Sequence, residues 1–425
     1  MAQDPLHVLW IEPGFPGRMG GVADWLTRHR GYRSTFYCHT TAPRSHWPSS
    51  VGRGLDIETF GVGGAARDQA VAWSRTLERG LCYAYGCWEV LDKKRPRPID
   101  LIVGRSSGLG SSLFAPVYWP SAPVASYMDY YFAPHQHDLA DHAAPDTLSS
   151  YYCWRRSMGA IDLLDLEQAS LGWTSTEWQR RLYPREYQPD IEVFQDGVDT
   201  DLFAESAWHT RGTGLRVIAG RAIPDEVRVV SFVARTVDRL RGFDRFFTLA
   251  GKLMATRQDV ICVAAGDPIV RRGLDVTFHN QDYPARLKAD HPSVDRDRLW
   301  LLGSVPPATV AELLAASDLH VAPGRSYPVA RSLLEAMATG CVVVASDVEP
   351  NREVIEPERT GILINASYDN ALADTAIKIL ADRATYRPLG AAAAALVRER
   401  YSRAVCLPRL AERFSALVEA HEARR

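Results

Sequence analysis

The chain lacks any C-x-x-C pair, and its seven cysteines (Cys38, Cys82, Cys87, Cys153, Cys262, Cys341, Cys406) are scattered and odd in number. Neither a disulfide scaffold nor a zinc site is indicated. No apolar run approaches the roughly 18–20 residues that cross a bilayer. The opening residues, MAQDPLHVLWIEPG, have no basic stretch leading into a long apolar one, so secretion is not expected and the reducing cytoplasm is the default. Neither sign of charge is in excess: 49 Lys+Arg against 51 Asp+Glu leave a formal net charge of -2. That is not the basic footprint of a general nucleic-acid binder. A G-x-G-x-x-G turn with an acidic ribose ligand about 20 residues on is also missing, which argues against a dinucleotide oxidoreductase.

A length of 425 residues implies two or three domains. Ten of the eleven tryptophans and twelve of the seventeen tyrosines lie in residues 1–208, whereas the rest is rich in alanine. Two domains with different duties follow. The first opens as strand (Leu6–Ile11), Gly/Pro-rich turn (Pro13–Gly21), helix (Val22–Arg30) and strand (Ser34–Cys38), a βαβ unit of a doubly wound parallel sheet. Strands Leu101–Val103 and Val124–Tyr127 come next, the second ending at Asp129, and Met158–Leu171 has helical periodicity. Ala204–Arg221 reads as a linker. The pattern restarts with strand Val229–Ala234, helix Phe243–Met254, strand Val260–Ala265, strand Leu299–Leu302, helix Ala308–Ala316, strand Leu319–Ala322, helix Ser332–Ala338 and strand Cys341–Ser346. The expected fold class is therefore α/β, with two parallel-sheet domains whose ligand site lies in a cleft at the carboxyl ends of the strands.

Several local features bear on chemistry, each with two readings. Gly20–Gly21 between strand and helix either make a tight turn or let the backbone approach phosphate oxygens at a helix N-terminus. Arg235 and Arg241 flank the loop after the second domain's first strand, where they hold a diphosphate or are merely solvated. Ser332-x-x-Glu335 reads as a capping box, with Glu335 on sugar or ribose hydroxyls as the alternative. His135, His137 and His142 make a polar loop near Asp129, with an acid/base or orienting role as the alternative. Asp199-Thr200-Asp201 and Asp295-Arg296-Asp297 fit D-x-D, but neither ends a long apolar strand, and both are read as solvated rather than metal-ligating. The basic run Lys93–Arg97 is a solvated loop or a docking point on an anionic membrane face.

In order, the segments FVARTVDRLRGFDRF, VICVAAGDP, LLGSVPPATVAELLAASDLHVAP and PVARSLLEAMATGCVVVASDVEPNREVIEPERTGILI resemble the retaining glycosyltransferases of family 4, which have the GT-B fold. FQDGVDTDLF resembles the family's approach to its linker. IDLIVGRSSGLGSSLFAPVYWPSAPVASYMDYYF and LEQASLGWTSTEWQRRLYP resemble one acceptor-domain subgroup. The resemblance implies an acceptor-binding Rossmann-like domain at 1–205, with a C-terminal helix at 405–425 packing back on it, and a nucleotide-sugar-binding domain at 222–400, facing each other across a cleft. It implies transfer of a hexose from a UDP- or GDP-sugar to an acceptor hydroxyl, with retention, without metal or other cofactor, in surface polysaccharide or glycoconjugate synthesis. The acceptor would be a glycan or a lipid-linked oligosaccharide, and the location cytoplasmic, including the inner face of the membrane. Arg235 and Arg241 would neutralise the leaving diphosphate, with Asp129 as a further catalytic candidate and His135 and His137 on the acceptor side. Gly303-Ser304-Val305 would lie against the base, Arg331-Ser332-Leu333 against phosphates and sugar, and Glu335 on the ribose, with Gly20–Gly21 adding amides. One departure stands out. The family has a second glutamate eight positions before Glu335, and here that position is Tyr327, which cannot accept hydrogen bonds as a carboxylate does. A catalytically silent sugar-binding or scaffold protein and a GT-B sugar-nucleotide epimerase or phosphorylase are the rival readings.

Overall fold

The computed structural model describes residues 5–62, 74–94, 98–106, 110–133, 145–206, 209, 214–268, 287–289, 294–366, 368 and 370–424. The chain divides into two compact units, Met1–Asp196 with Cys406–Arg425, and Gly197–Val405.

In the first unit, β1 (His7–Ile11), β2 (Arg33–Cys38), β3 (Leu55–Thr59), β4 (Leu101–Arg105), β5 (Val124–Tyr127), β6 (Leu171–Thr174) and β7 (Ile191–Val193) form one parallel sheet in the order β3-β2-β1-β4-β5-β6-β7. Side chains alternate across a strand, and the core follows that period. Val8, Trp10, Phe36, Leu101 and Val103 pack with Met19, Val22 and Leu26 of α1 (Met19–Arg30), while Leu9, Ile11, Tyr37 and Ile102 pack with Tyr83, Cys87 and Leu91 of α2 (Ser74–Lys94). The helix Arg403–Glu422 supplies Leu407, Leu410, Phe414 and Leu417 to the α1 face, where Phe414 meets the edges of Trp10 and Trp173. Its Arg413 makes a two-oxygen ion pair with Glu192. A third helix, α3 (Pro145–Gln168), precedes β6.

The second unit carries β8 (Arg228–Thr236), β9 (Val260–Asp267), β10 (Leu299–Leu301), β11 (Leu319–Ala322), β12 (Val343–Ser346) and β13 (Ile362–Ile364), parallel in the order β10-β9-β8-β11-β12-β13. The same alternation divides its core. Val230, Phe232, Cys262 and Ala264 face α4 (Phe243–Thr256), whereas Val229, Ile261 and Val263 face Leu313 and Ala316 of α5 (Pro307–Ala316). Leu333, Ala336 and Met337 of α6 (Arg331–Ala338) pack on Val343 and Ala345 of β12. In both sheets the first strand lies between the second and the fourth, so each has a switch point, between β1 and β4 and between β8 and β11. Ligands of doubly wound sheets bind outside the carboxyl ends of the strands at that point.

Three buried groups set opposite pH responses in the two units. Burial lowers His209 to about 4 and His320 to about 3, both in the second unit. Their unfolded pKa is about 6.5, so below it the unfolded state takes up protons that the native state refuses, and stability falls as pH falls. In the first unit burial raises Asp165, on α3, to about 7. There the native state holds the extra proton, and stability rises as pH falls from 7. Melting the chain at pH 7 and pH 5 is therefore expected to move the two units' transitions in opposite directions, and Asp165→Asn should abolish the first unit's gain.

Candidate functional site

At the second unit's switch point the loops leaving β8 and β11 are knitted together. The Arg325 N–H donates to Leu240 O (3.0 Å), and its guanidinium donates to Arg239 O and to Asp244 Oδ2 (3.2 Å). Arg245 donates to Pro323 O (2.9 Å), and Arg239 lies 3.9 Å from Asp244. Gly242, at φ 81°, lets the chains touch: a Cβ there would sit 2.3 Å from Pro323 O. These bonds use up Arg239, Arg245 and Arg325 in holding the loops. Arg235 and Arg241 are different. Neither has a carboxylate partner among the described residues. Arg235 is exposed at the end of β8, and Arg241 lies over the Tyr327 ring, 4.5 Å from its centroid. Asp238 accepts the backbone N–H of Arg241 (2.8 Å).

The capping box expected at Ser332-x-x-Glu335 is not formed. α6 starts one residue earlier, at Arg331, and its N-cap is Ala330, which offers no side-chain oxygen. Ser332 is consequently inside the first turn, and its hydroxyl donates to Val233 O of β8 (2.6 Å). That bond pins the N-terminus of α6 two residues from Arg235, and its N-cap residue gives no side-chain cap. Glu335 lies one turn on, half-buried. On the other side of β8, Gly266 donates to Gly303 O (2.8 Å), and a Cβ on Gly266 would meet Ala234 O at 2.4 Å. The Gly303-Ser304-Val305 turn is thereby drawn to the same edge, with Gly303 at φ 70°, Ser304 exposed and Val305 against the Ile218–Val229 cluster. The structure thus brings together Arg235, Arg241, Arg331, Ser332 and Leu333 around the β8–β11 edge, with Gly303 to Val305 beside them.

In the first unit the corresponding edge is filled by the chain's own charges. Glu12, directly after β1 and 2% exposed, accepts from the N–H groups of Arg18 (3.0 Å) and Met19 (2.9 Å) at the start of α1. A carboxylate already occupies that helix N-terminus. Gly20 sits inside the first turn, its N–H donates to Pro16 O (2.7 Å), and a Cβ would lie 2.7 Å from Pro16 Cβ. Gly20 and Gly21 both lie within the first turn of α1. Arg105, at the end of β4, bridges Glu12 and Asp129. Burial opposes its charge, yet Asp129 and Glu12 more than reverse this, and the guanidinium keeps its proton well above the usual arginine range. Arg18 pairs with Asp196 (2.5 Å), donates to Ser175 and lies over Tyr127. Asp129 is thus held on an arginine, and its carbonyl accepts from Gln179 (2.6 Å).

His135 and His137 lie outside the described residues. Asp199 accepts from Leu202 N–H and pairs with Arg403 (2.8 Å), and Asp295 pairs with Arg298 (2.7 Å). Among the described residues no three His, Cys, Asp or Glu side chains gather as metal ligands. Sequence reasoning missed Glu12 and Arg105. A carboxylate ending the first strand just before a Gly/Pro turn and helix was the available signal.

Two doubly wound units, each with its switch point, define the GT-B class of glycosyltransferase folds. Solved structures share this architecture: sucrose-phosphate synthase from Thermosynechococcus elongatus aligns with a TM-score of 0.72 at 17% identity, covering 98% of this chain and 100% of that one. The Anabaena protein HepE, solved with UDP and glucose, aligns with a TM-score of 0.69 at 16% identity over 96% of this chain and 99% of its own. The chain belongs to the group 1, family 4 glycosyltransferases. The profile "Glycosyl transferase family 4 group" matches residues 30–203, and "Glycosyl transferases group 1" matches 217–396. In sequence it is similar to the alpha-maltose-1-phosphate synthase of Mycolicibacterium smegmatis, 27% identical over 231 residues, 52% of this chain and 56% of that protein. The match thus spans about half the length of this curated relative.

Proposed function

We propose that the second unit binds a UDP- or GDP-hexose and that the protein transfers the hexose, with retention and without a metal, to a hydroxyl of a glycan or lipid-linked acceptor carried by the first unit. One observation carries this reading. Of the five arginines from 235 to 245 and at 325, Arg239 and Arg325 reach Asp244 and Arg245 donates to Pro323 O, whereas Arg235 and Arg241 have neither a carboxylate nor a carbonyl partner among the described residues and lie beside the start of α6, whose N-cap Ala330 gives no side-chain cap. Uncompensated cations and open helix amides at a switch point are what a diphosphate requires. As the bond from anomeric carbon to phosphate oxygen breaks, negative charge grows on the leaving diphosphate, and these groups stabilise it. The acceptor oxygen attacks from the same face and passes its proton to the departing phosphate oxygen. Glu335 would hold the ribose hydroxyls, and Gly303 to Val305 would lie along the base.

No helix among the described residues is long and apolar enough to cross a membrane. In the basic run, Lys93 lies 3.8 Å from Glu89 and Lys94 pairs with Glu58. The rest of that run, residues 95–97, lies outside the described residues. Incubating the protein with UDP- and GDP-hexoses and reading slow donor hydrolysis, then determining the anomeric configuration of the transferred sugar by NMR, tests the proposal. An axial donor giving an axial product supports it. Inversion, or no turnover with any donor, contradicts it.

A further inference from the structure

We propose that Tyr327 is the positioning residue of Arg241: its ring face aims the guanidinium and leaves the charge whole for a nucleoside diphosphate. The inference rests on the reading of the site given above. Arg241 lies 4.5 Å from the Tyr327 ring centroid. The loop that carries Tyr327 is braced against the Arg241 loop by Arg325 on Leu240 O and Asp244, by Arg245 on Pro323 O and by the close pass of Gly242. The loops that carry ring and cation are therefore tied to each other by bonds separate from the ring–cation contact. The nearby carboxylates are engaged elsewhere, Asp244 with Arg325 and Arg239, and Asp238 with the Arg241 backbone N–H.

A ring and a carboxylate act differently on a cation. An aromatic face attracts a guanidinium through its quadrupole and carries no net charge, so the direction of the arginine is set without neutralising it. A carboxylate at the same place would form a charge-assisted pair and compete with the diphosphate for the same N–H groups. Tyrosine in place of glutamate at 327 thus shifts the pocket towards stronger diphosphate holding.

Calorimetric titration of the full chain with UDP and with GDP, alongside melting temperatures, tests this. Tyr327→Phe keeps the ring and is expected to bind as the wild type does. Tyr327→Leu is expected to bind about 3- to 30-fold more weakly, the range that loss of a cation–π contact implies, with its melting temperature unchanged. Tyr327→Glu is expected to bind more weakly still, with a deficit that shrinks as salt is raised. Wild-type affinity in Tyr327→Leu, or tighter binding in Tyr327→Glu, overturns the inference while the site stands. A wild-type chain that binds neither nucleotide removes the site, and the inference with it.

Discussion

Replacing Arg241 by alanine is expected to lower transfer by about 10²- to 10³-fold, the scale on which loss of one preorganised donor to a developing negative charge acts. The loss should fall mainly on kcat, because the diphosphate carries more negative charge as it leaves than in the intact donor. The melting temperature should stay put, since among the described residues Arg241 makes no ion pair and Asp238 accepts its backbone N–H, which alanine keeps. Arg325→Ala provides the contrast. That side chain bonds to Arg239 O and Asp244 and holds two loops together, so its removal should lower the melting temperature as well as activity. Steady-state kinetics and thermal melts on the two variants separate an arginine that meets substrate from one that holds the loops.

Arg105→Met is expected to destabilise the first unit by about 3–5 kcal/mol, because it leaves two carboxylates without their shared cation in a water-poor edge. The side chains concerned are 13% exposed for Arg105, 2% for Glu12 and 11% for Asp129. A urea titration of the full chain reads this as an early transition of the first unit. Adding Glu12→Gln and Asp129→Asn to Arg105→Met should recover part of the loss, since removing all charges costs less than stranding two. No recovery in the triple variant would mean that Arg105 acts by shape and not by charge.

Much of the fold was legible because parallel strands buried on both faces read as apolar runs with sharp ends. VVSFVA, VICVAA and VVVAS each became a strand of the second sheet. The first unit was harder to read. β3 (LDIET) is short, half polar and at the sheet edge, so its period of two is weak. The start of α1 was placed three residues late, because Met19-Gly20-Gly21 resembles a turn until Glu12 and cis-Pro16 are seen packed beneath it. Local pattern also misplaced Ser332. The spacing to Glu335 fits a capping box, and only the proximity of β8 reveals that the hydroxyl bonds across to Val233. Arg235 and Arg241 were legible as cations at a strand end. Their lack of a carboxylate partner among the described residues was not, because the nearby Asp244 bonds to Arg325, 81 residues away in sequence.

The central claim is that Arg235 and Arg241 hold a pyrophosphate group. Titrating the wild type and the Arg235→Ala/Arg241→Ala double variant with UDP, UMP, GDP and GMP tests it most directly. The account predicts that the wild type prefers each diphosphate over its monophosphate and that the double variant loses this preference while still melting as the wild type does. A double variant that keeps the preference would contradict the account.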